Sequence, residues 1–153
     1  MHYFAYGSNL DPVQMRRRCP GSSPLGRATL RQHRLVFPRT CESWAGGVAG
    51  IEPHETSNVE GVIYHLTAAD LAALDEYEGL AEGDYVRRKV VVHQPAELSI
   101  EVWTYFANPA PAGPQRPSRH YLDAIVRGAE HYRLPESYIA RLKAIRTVED
   151  LAD

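Results

Sequence analysis

Segments rich in β-branched and aromatic residues fill the first two-thirds of the chain, and segments with helical spacing interrupt or follow them. Runs of this kind, bounded by turn-forming residues, are typical of β-strands. Strands that come first, with helices inserted or late, indicate an α+β fold with a mostly antiparallel, barrel-like sheet. The predicted strands are 3–6, 28–37, 46–51, 60–66, 85–94 and 100–108.

Capping residues predict where the helices begin and end. Asp11 is a favourable cap residue, and Pro12 after it fits the first helical position. Thr67 can cap a helix that Gly79 would close in the left-handed conformation, and Ser118 can cap a later one. The predicted helices are therefore one that starts at Asp11-Pro12, and those over 68–78, 119–132 and 135–145.

Length and charge limit the kinds of function. A chain of 153 residues can bury the core of one domain, so we expect a single domain over 1–153. Its 17 basic and 19 acidic residues give a net charge of -2, which provides no reason to expect a nucleic-acid partner. The basic run Arg16-Arg17-Arg18 is best explained as a solvated helix face, with a phosphate site as the alternative.

The sequence favours a cytoplasmic protein. No stretch approaches the about 18 apolar residues of a membrane span, and the start lacks a signal-peptide pattern. Cys19 and Cys41 form no paired motif and suit a reducing compartment, although two thiols can in principle pair. The seven histidines are scattered without a zinc-binding pattern, so we expect no metal site.

The N-terminal segment Tyr6-Gly7-Ser8-Asn9 follows the first strand almost at once. It is either a hairpin turn or a binding loop that turns its backbone N–H groups toward a ligand. Ser8 lacks the surrounding pattern of a serine hydrolase. Tyrosines recur on or beside the strands, where they line a pocket or form a core with hydroxyls at its rim. They are Tyr3, Tyr6, Tyr64, Tyr77, Tyr85 and Tyr105.

Glu78 falls on the apolar stripe of the predicted helix over 68–78. With Leu71 at zero on a helical wheel, Leu74 lies at about 300° and Glu78 at about 340°. Glu76 lies at about 140°, on the other side. A charged carboxylate on an apolar stripe costs several kcal/mol unless it has a partner or a role.

Burial, the neighbouring Asp75 and the negative end of the helix dipole should each raise the pKa of Glu78. A raised carboxyl pKa is what a general acid/base near neutral pH requires. The alternative is that Glu78 sits at a frayed helix end and bends into solvent, or pairs with Arg87 or Arg88.

The motifs together resemble the γ-glutamylcyclotransferase family over nearly the whole chain. An N-terminal YGSNL combined with a later LDEYEG block is specific, although neither alone would be. Asn9 favours the branch that acts on γ-glutamyl amino acids over the glutathione-specific and γ-glutamylamine branches. The matching segments are YFAYGSNL (3–10), WAGGVAGI (44–51), GVIYHL (61–66), LDEYEGLAEGDY (74–85), Arg119-His120-Tyr121, Gly128-Ala129 and LPESYIARLKAI (134–145).

The resemblance implies a small mixed barrel with flanking helices, and an intramolecular cyclisation without a cofactor. A γ-glutamyl amino acid, or a close γ-glutamyl amide, would be split into 5-oxoproline and the free amine. The family's catalytic glutamate corresponds to Glu78, the residue that the helical wheel selected independently. Implied substrate-binding residues are Tyr3, Phe4, Ala5, Tyr6, Gly7, Ser8, Asn9, Tyr85 and Tyr121.

The resemblance also has implications for the rest of the pocket and for the assembly. Tyr105 is a secondary candidate for the pocket, and the segment 44–47 would build one wall. Ala45 departs from the family pattern and leaves the leaving group open. A homodimer is compatible with the resemblance. The alternatives are a γ-glutamylamine-type enzyme and a non-catalytic binder of γ-glutamyl metabolites.

Overall fold

The computed structural model describes residues 1–150 as a barrel surrounded by helices. The strands are β1 (His2–Ala5), β2 (Ser23–Cys41), β3 (Gly46–His65), β4 (Tyr85–His93) and β5 (Ser99–Ala107). The helices are α1 (Pro12–Arg18), α2 (Ala68–Tyr77), α3 (Arg119–His131) and α4 (Glu136–Lys143). Short 3-10 turns lie at Ser8–Leu10, Glu42–Trp44 and Pro95–Glu97.

The strands close into a barrel in the order β1-β3-β2-β4-β5. Neighbouring strands are antiparallel, except that β1 and β5 meet in parallel where Tyr3 faces Trp103. The predicted α+β fold, a small mixed and mostly antiparallel barrel with flanking helices, is therefore confirmed.

Strand β3 is longer than the sequence predicted. Two separate strands were expected at 46–51 and 60–66, but the structure continues through 52–59 as well. Most of 53–58 is exposed and polar, so the usual burial pattern of a strand is missing there. Pairing with β2 holds this stretch, with register shifts that include one between Arg31 and His33.

The predicted helix caps are confirmed. Asp11 accepts a hydrogen bond of 3.1 Å from the Val13 N–H at the start of α1. Thr67 and Asp70 form a reciprocal capping box at the start of α2. Ser118 accepts a hydrogen bond of 3.2 Å from the Tyr121 N–H and so caps α3. After α2, Gly79 adopts the left-handed conformation with φ +64°.

Helix α3 holds the segment that follows β1 against the barrel. Gly128 of α3 lies so close to the Leu10 backbone that a Cβ atom would have no room. Leu10 and Ile125 are fully buried in the same core. The packing of α3 therefore fixes the position of the Ser8–Leu10 turn relative to the barrel. Within residues 1–150, no helix combines the length and the apolar character that crossing a bilayer demands.

Candidate active site

A cavity of about 300 Å³ opens where the end of β1, the end of α2 and the start of α3 meet. It contains most of the residues that the sequence predicted for the site. These are Tyr3, Tyr6, Gly7, Ser8, Asn9, Glu78, Tyr85 and Tyr121. Tyr105, the secondary candidate, lines it too.

Phe4 and Ala5 do not line the cavity, although the resemblance implied both. They belong to β1 and pair with Ile63 and Val62 of β3 in the barrel wall. Their side chains have no exposed surface, and the Phe4 carbonyl accepts a hydrogen bond of 2.9 Å from Thr104 Oγ1. Both residues therefore contribute to the strand pairing and packing of the barrel and not to the wall of the cavity.

The segment after β1 is not a hairpin turn, because the chain passes into the Ser8–Leu10 turn and then into α1. The N–H groups of Gly7, Ser8 and Asn9 donate no hydrogen bond to any group within residues 1–150. They precede the first internal hydrogen bond of the turn, so they can serve a ligand. Free backbone donors beside a cavity are the arrangement that the binding-loop alternative required.

Asn9 links this loop to α1 and to the barrel. Its Oδ1 accepts hydrogen bonds from Gln14 Nε2 at 3.0 Å and from Arg18 Nη1 at 3.1 Å. Its Nδ2 donates to the Tyr3 hydroxyl at 3.0 Å. Gln14 also donates to Ser8 Oγ at 2.8 Å. The side chain of Asn9 is thereby fixed from three directions.

Two tyrosines hold the backbone of Ala49. The Ala49 N–H donates to the Tyr121 hydroxyl at 2.9 Å, and the Tyr85 hydroxyl donates to the Ala49 carbonyl at 2.6 Å. Both backbone groups are free for this because Ala49 lies at a register shift between Val36 and Arg39 of β2. Residues 37 and 38 of β2 stand opposite the single residue Ala49, and a β-bulge of this kind locally disrupts the ladder.

The tyrosine hydroxyls of the cavity differ in where their protons point. Tyr6, Tyr85 and Tyr105 each donate to a protein oxygen, namely the Tyr105 carbonyl, the Ala49 carbonyl and the Asp75 carboxylate. Tyr3 and Tyr121 instead accept, so their own protons remain available to the cavity. Burial raises the pKa of both hydroxyls, which keeps them protonated near neutral pH.

Glu78 is the residue immediately after α2, and it presents a half-buried carboxylate to the cavity. Its N–H donates to the Leu74 carbonyl at 2.8 Å, so the last turn of the helix is intact. No hydrogen bond or ion pair to its carboxylate exists within residues 1–150. Burial raises the pKa of Glu78 from 4.5 to about 7, and the charge of Arg18 opposes that rise.

The alternative explanations of Glu78 do not match the structure. Arg87 lies 3.7 Å from the Asp75 carboxylate, and Arg88 lies over the ring of Phe106. Asp75 was expected to raise the pKa of Glu78. Its carboxylate instead forms an ion pair with Arg87 and accepts a hydrogen bond from the Tyr105 hydroxyl.

Two arginines that the sequence did not place in the site line the cavity. Arg39 forms an ion pair of 2.7 Å with Asp84 and donates to the Asn108 carbonyl at 2.9 Å. Arg18 belongs to the run that was expected to be a solvated helix face. Arg16 and Arg17 are exposed, but Arg18 is half-buried. It lies four residues after the buried Gln14, on the same face of α1.

Of the segment 44–47, which was expected to build one wall, Trp44 lines the cavity. The Trp44 ring lies 4.9 Å from the Tyr121 ring. Gly46 and Gly47 pack against the backbone of 115–118, and the Gly47 N–H donates to the Arg116 carbonyl at 2.8 Å. In the part of the chain that the structure describes, no cluster of three or more His, Cys, Asp or Glu side chains could hold a metal ion.

Comparisons with known proteins agree on one family. A family model described as the AIG2-like family matches residues 58–142. The chain is 34% identical over 147 residues to the γ-glutamylcyclotransferase of Homo sapiens. This alignment covers 94% of this chain and 77% of the human protein. For the γ-glutamylcyclotransferase of Mus musculus the identity is 32% over 151 residues, with coverage of 96% and 79%.

A solved structure described as a γ-glutamyl cyclotransferase has the same architecture. It superposes with a TM-score of 0.92 at 30% sequence identity. The match covers 100% of this chain and 92% of the other.

Proposed function

The chain belongs to the γ-glutamylcyclotransferase family, and from that premise we propose that it converts γ-glutamyl amino acids, or close γ-glutamyl amides, into 5-oxoproline and the free amine. Glu78 is the general acid/base of the proposed reaction. One observation carries this proposal. The helix end places a partly buried carboxylate with a pKa of about 7, and with no protein partner within residues 1–150, on the wall of a cavity of about 300 Å³.

The proposed reaction is an internal acyl transfer. The α-amino nitrogen of the glutamyl group attacks its own δ-carbonyl carbon, so a new C–N bond closes a five-membered ring. The amide C–N bond to the leaving group then breaks. The nucleophile and its target belong to the same molecule. The protein therefore needs to hold the substrate in a folded conformation, to transfer protons and to stabilise the developing negative charge.

Glu78 accepts and donates the proton in the proposed reaction. Its carboxylate accepts a proton from the substrate ammonium, which frees the nitrogen lone pair for attack. The carboxyl group then passes this proton to the departing amine nitrogen. The second proton, which the ring nitrogen loses as it becomes an amide, also ends on the amine, which leaves as an ammonium ion, and the carboxylate is restored. A carboxyl group with a pKa near 7 suits both steps, because neither protonation state is strongly disfavoured at neutral pH.

The tyrosines and the loop supply polar groups around the reacting atoms. Tyr121 keeps its proton available, so we assign it to the oxygen of the δ-carbonyl, where negative charge develops. Tyr85 offers only lone pairs, which suits the substrate ammonium. The free N–H groups of Gly7, Ser8 and Asn9 would bind the glutamyl carboxylate, with Tyr3 and Tyr6 completing the pocket.

The test is mass-spectrometric detection of 5-oxoproline from a panel of γ-glutamyl amino acids, glutathione and γ-glutamyl-lysine. We expect 5-oxoproline with the wild type and a large loss with Glu78→Gln. Product from γ-glutamyl-lysine alone would favour the γ-glutamylamine alternative. Tight binding of γ-glutamyl compounds or 5-oxoproline without turnover would favour the non-catalytic binder.

Other parts of the proposal concern the whole protein. We propose that 1–153 form a single domain that acts in the cytoplasm on a small-molecule substrate, with no nucleic-acid or membrane partner. The free thiols of Cys19 and Cys41 are compatible with a reducing compartment. A homodimer remains part of the proposal, and equilibrium sedimentation would test it.

A further inference from the structure

A second depression, of about 370 Å³, adjoins the active-site cavity; we call it the outer groove. Arg18, Trp44 and Tyr77 line both the cavity and the outer groove, so they mark the junction between the two. The rest of the groove is formed by Gln14, Arg17, Ser43 and His120. The two spaces therefore adjoin at these three side chains, as an inner and an outer space.

The proposed reaction fixes which part of a substrate lies in each space. The amine of the glutamyl group must reach Glu78, which lines the inner cavity and not the outer groove. In the folded conformer the departing nitrogen also lies near Glu78, which protonates it, and the rest of the leaving group extends from there toward the junction. In a γ-glutamyl amino acid, the α-carboxylate of the leaving group is only two bonds from the nitrogen that departs.

Arg18 is a cation without a carboxylate partner at this junction. Its Nη1 donates to Asn9 Oδ1 at 3.1 Å, and its guanidinium lies 4.6 Å from the centre of the Tyr77 ring. Both contacts are with neutral groups, and Arg18 forms no ion pair within residues 1–150. Arg39, the other arginine of the cavity, is neutralised by Asp84 at 2.7 Å. A half-buried guanidinium with unused N–H donors is a suitable site for a carboxylate.

Two aromatic rings line the junction together with this cation. Tyr77, at the end of α2, is 58% exposed although it borders the groove. Trp44 is half-buried, and it is held by the rings of Tyr121 at 4.9 Å and His120 at 5.2 Å. An exposed ring and a fixed ring that line the same groove can enclose an apolar side chain.

We propose that the outer groove is the leaving-group subsite, where Arg18 binds the α-carboxylate of the leaving amino acid and Trp44 and Tyr77 enclose its side chain. This inference rests on the proposed function. It defines the substrate class as γ-glutamyl derivatives of amino acids with a free carboxylate and a large apolar or aromatic side chain. γ-Glutamyl derivatives of simple amines are disfavoured, since they leave the Arg18 charge unpaired.

The glutamyl group also has a carboxylate, so the test must distinguish the two sources. The substrates are γ-glutamyl-phenylalanine, its C-terminal carboxamide and γ-glutamyl-phenethylamine, all of which keep the glutamyl carboxylate. Values of kcat/KM are measured above pH 8, where Glu78 is ionised. The variants are Arg18→Gln, the charge-conserving Arg18→Lys, and Arg16→Gln as the control on an exposed residue of the same helix that lines neither space.

We expect the wild type to prefer the free acid over the carboxamide by about 10- to 100-fold, the usual range for a charge-assisted contact. Arg18→Gln should abolish most of that preference, whereas Arg18→Lys and Arg16→Gln should retain it. Equal losses on all substrates in Arg18→Gln would assign Arg18 to the glutamyl carboxylate and overturn the inference. Tyr77→Ala should lower the preference for γ-glutamyl-phenylalanine over γ-glutamyl-alanine, and an unchanged preference would remove the aromatic part.

Failure of this inference is distinguishable from failure of the proposed function. If the wild type releases 5-oxoproline but does not discriminate between acid and carboxamide, only the inference is wrong. If the wild type releases none from any substrate, the proposed function fails for this panel. Calorimetric binding of the same compounds then tests the subsite directly, and equal affinities for acid and carboxamide would overturn it.

Discussion

The Tyr105 hydroxyl donates a hydrogen bond of 2.7 Å to the carboxylate of Asp75, in the last turn of α2. Arg87 lies 3.7 Å from the same carboxylate. Glu78, three residues later, has no such partner within residues 1–150 and lines the cavity. Two neighbouring carboxylates of one helix therefore have different environments. The Asp75 carboxylate is bound by two side chains of the barrel strands, whereas the Glu78 carboxylate is free to exchange a proton with a ligand.

Glu78→Gln should lower turnover by about two to four orders of magnitude, because the amide keeps the shape of the side chain but cannot accept the proton. Ligand binding should persist, since the loop and the tyrosines are unchanged. Rates of 5-oxoproline release and calorimetric binding of a γ-glutamyl compound measure the two effects separately.

Two variants of the same helix serve as controls. Glu76 is exposed, so Glu76→Gln should leave turnover unchanged. Asp75→Asn keeps an oxygen that can accept the Tyr105 proton, so turnover should fall by less than about tenfold. A loss in Glu76→Gln as large as in Glu78→Gln would contradict the assignment of Glu78.

The pH profile should report the pKa of Glu78. With a pKa of about 7 in the free protein, kcat/KM should decline by about tenfold per pH unit below pH 7 as the base becomes protonated. Because the Arg18 charge lowers the pKa of Glu78, Arg18→Gln should move this limb to higher pH. A profile that stays flat between pH 5 and pH 7 would exclude Glu78 as the base that the reaction requires.

The sequence predicted those features that depend on local patterns. Caps at Asp11, Thr67 and Ser118 are decided by residues within a few positions, and the phase of Glu78 follows from its distance to Leu71 and Leu74. Each of these predictions required only residues that are close in the sequence. For the same reason the helix boundaries were more accurate than the boundaries of β3, whose exposed middle depends on its partner strand.

Features that depend on distant parts of the chain could not be predicted. The two hydrogen bonds of the Ala49 backbone join β3 to Tyr85 and Tyr121. Ala49 lies opposite a register shift in β2 and has no partner there in the strand register. No local pattern indicates that shift. Arg18 was misinterpreted for a related reason, since a run of three arginines resembles a solvated surface until the partner Asn9 is known.

The tyrosine pair at Ala49 allows a matched comparison. Tyr121→Phe and Tyr85→Phe each leave one buried backbone group of Ala49 unsatisfied, so each should destabilise the protein by about 1–3 kcal/mol. Their effects on catalysis should differ, because only Tyr121 has a proton to offer the developing oxyanion. We expect kcat to fall by about 100-fold in Tyr121→Phe and by less than about tenfold in Tyr85→Phe.

Steady-state kinetics at a temperature well below both unfolding midpoints separates these effects. Denaturant titrations provide the stability values. If the two variants lose kcat equally, the proposed direction of the Tyr121 proton has no catalytic consequence.

Stability should depend on pH through Glu78 in a definite direction. Burial raises its pKa from 4.5 in the unfolded chain to about 7 in the folded one, so the folded state holds the proton more tightly. Below pH 4.5 both states are protonated and the full contribution to stability is present. It is lost as the pH rises to 7, and above that the ionised carboxylate costs up to about 3 kcal/mol.

Glu78→Gln removes this dependence, because glutamine does not titrate. Relative to wild type, the variant should therefore gain up to about 3 kcal/mol in free energy of unfolding between pH 4.5 and pH 8. Urea titrations of both proteins across this range measure the difference, in which the other titrating groups cancel, and Glu76→Gln should show no such trend. If the difference between Glu78→Gln and wild type is the same at every pH, the carboxylate of Glu78 is ionised in the folded protein as readily as in water, and its proposed role as a base near neutral pH loses its physical basis.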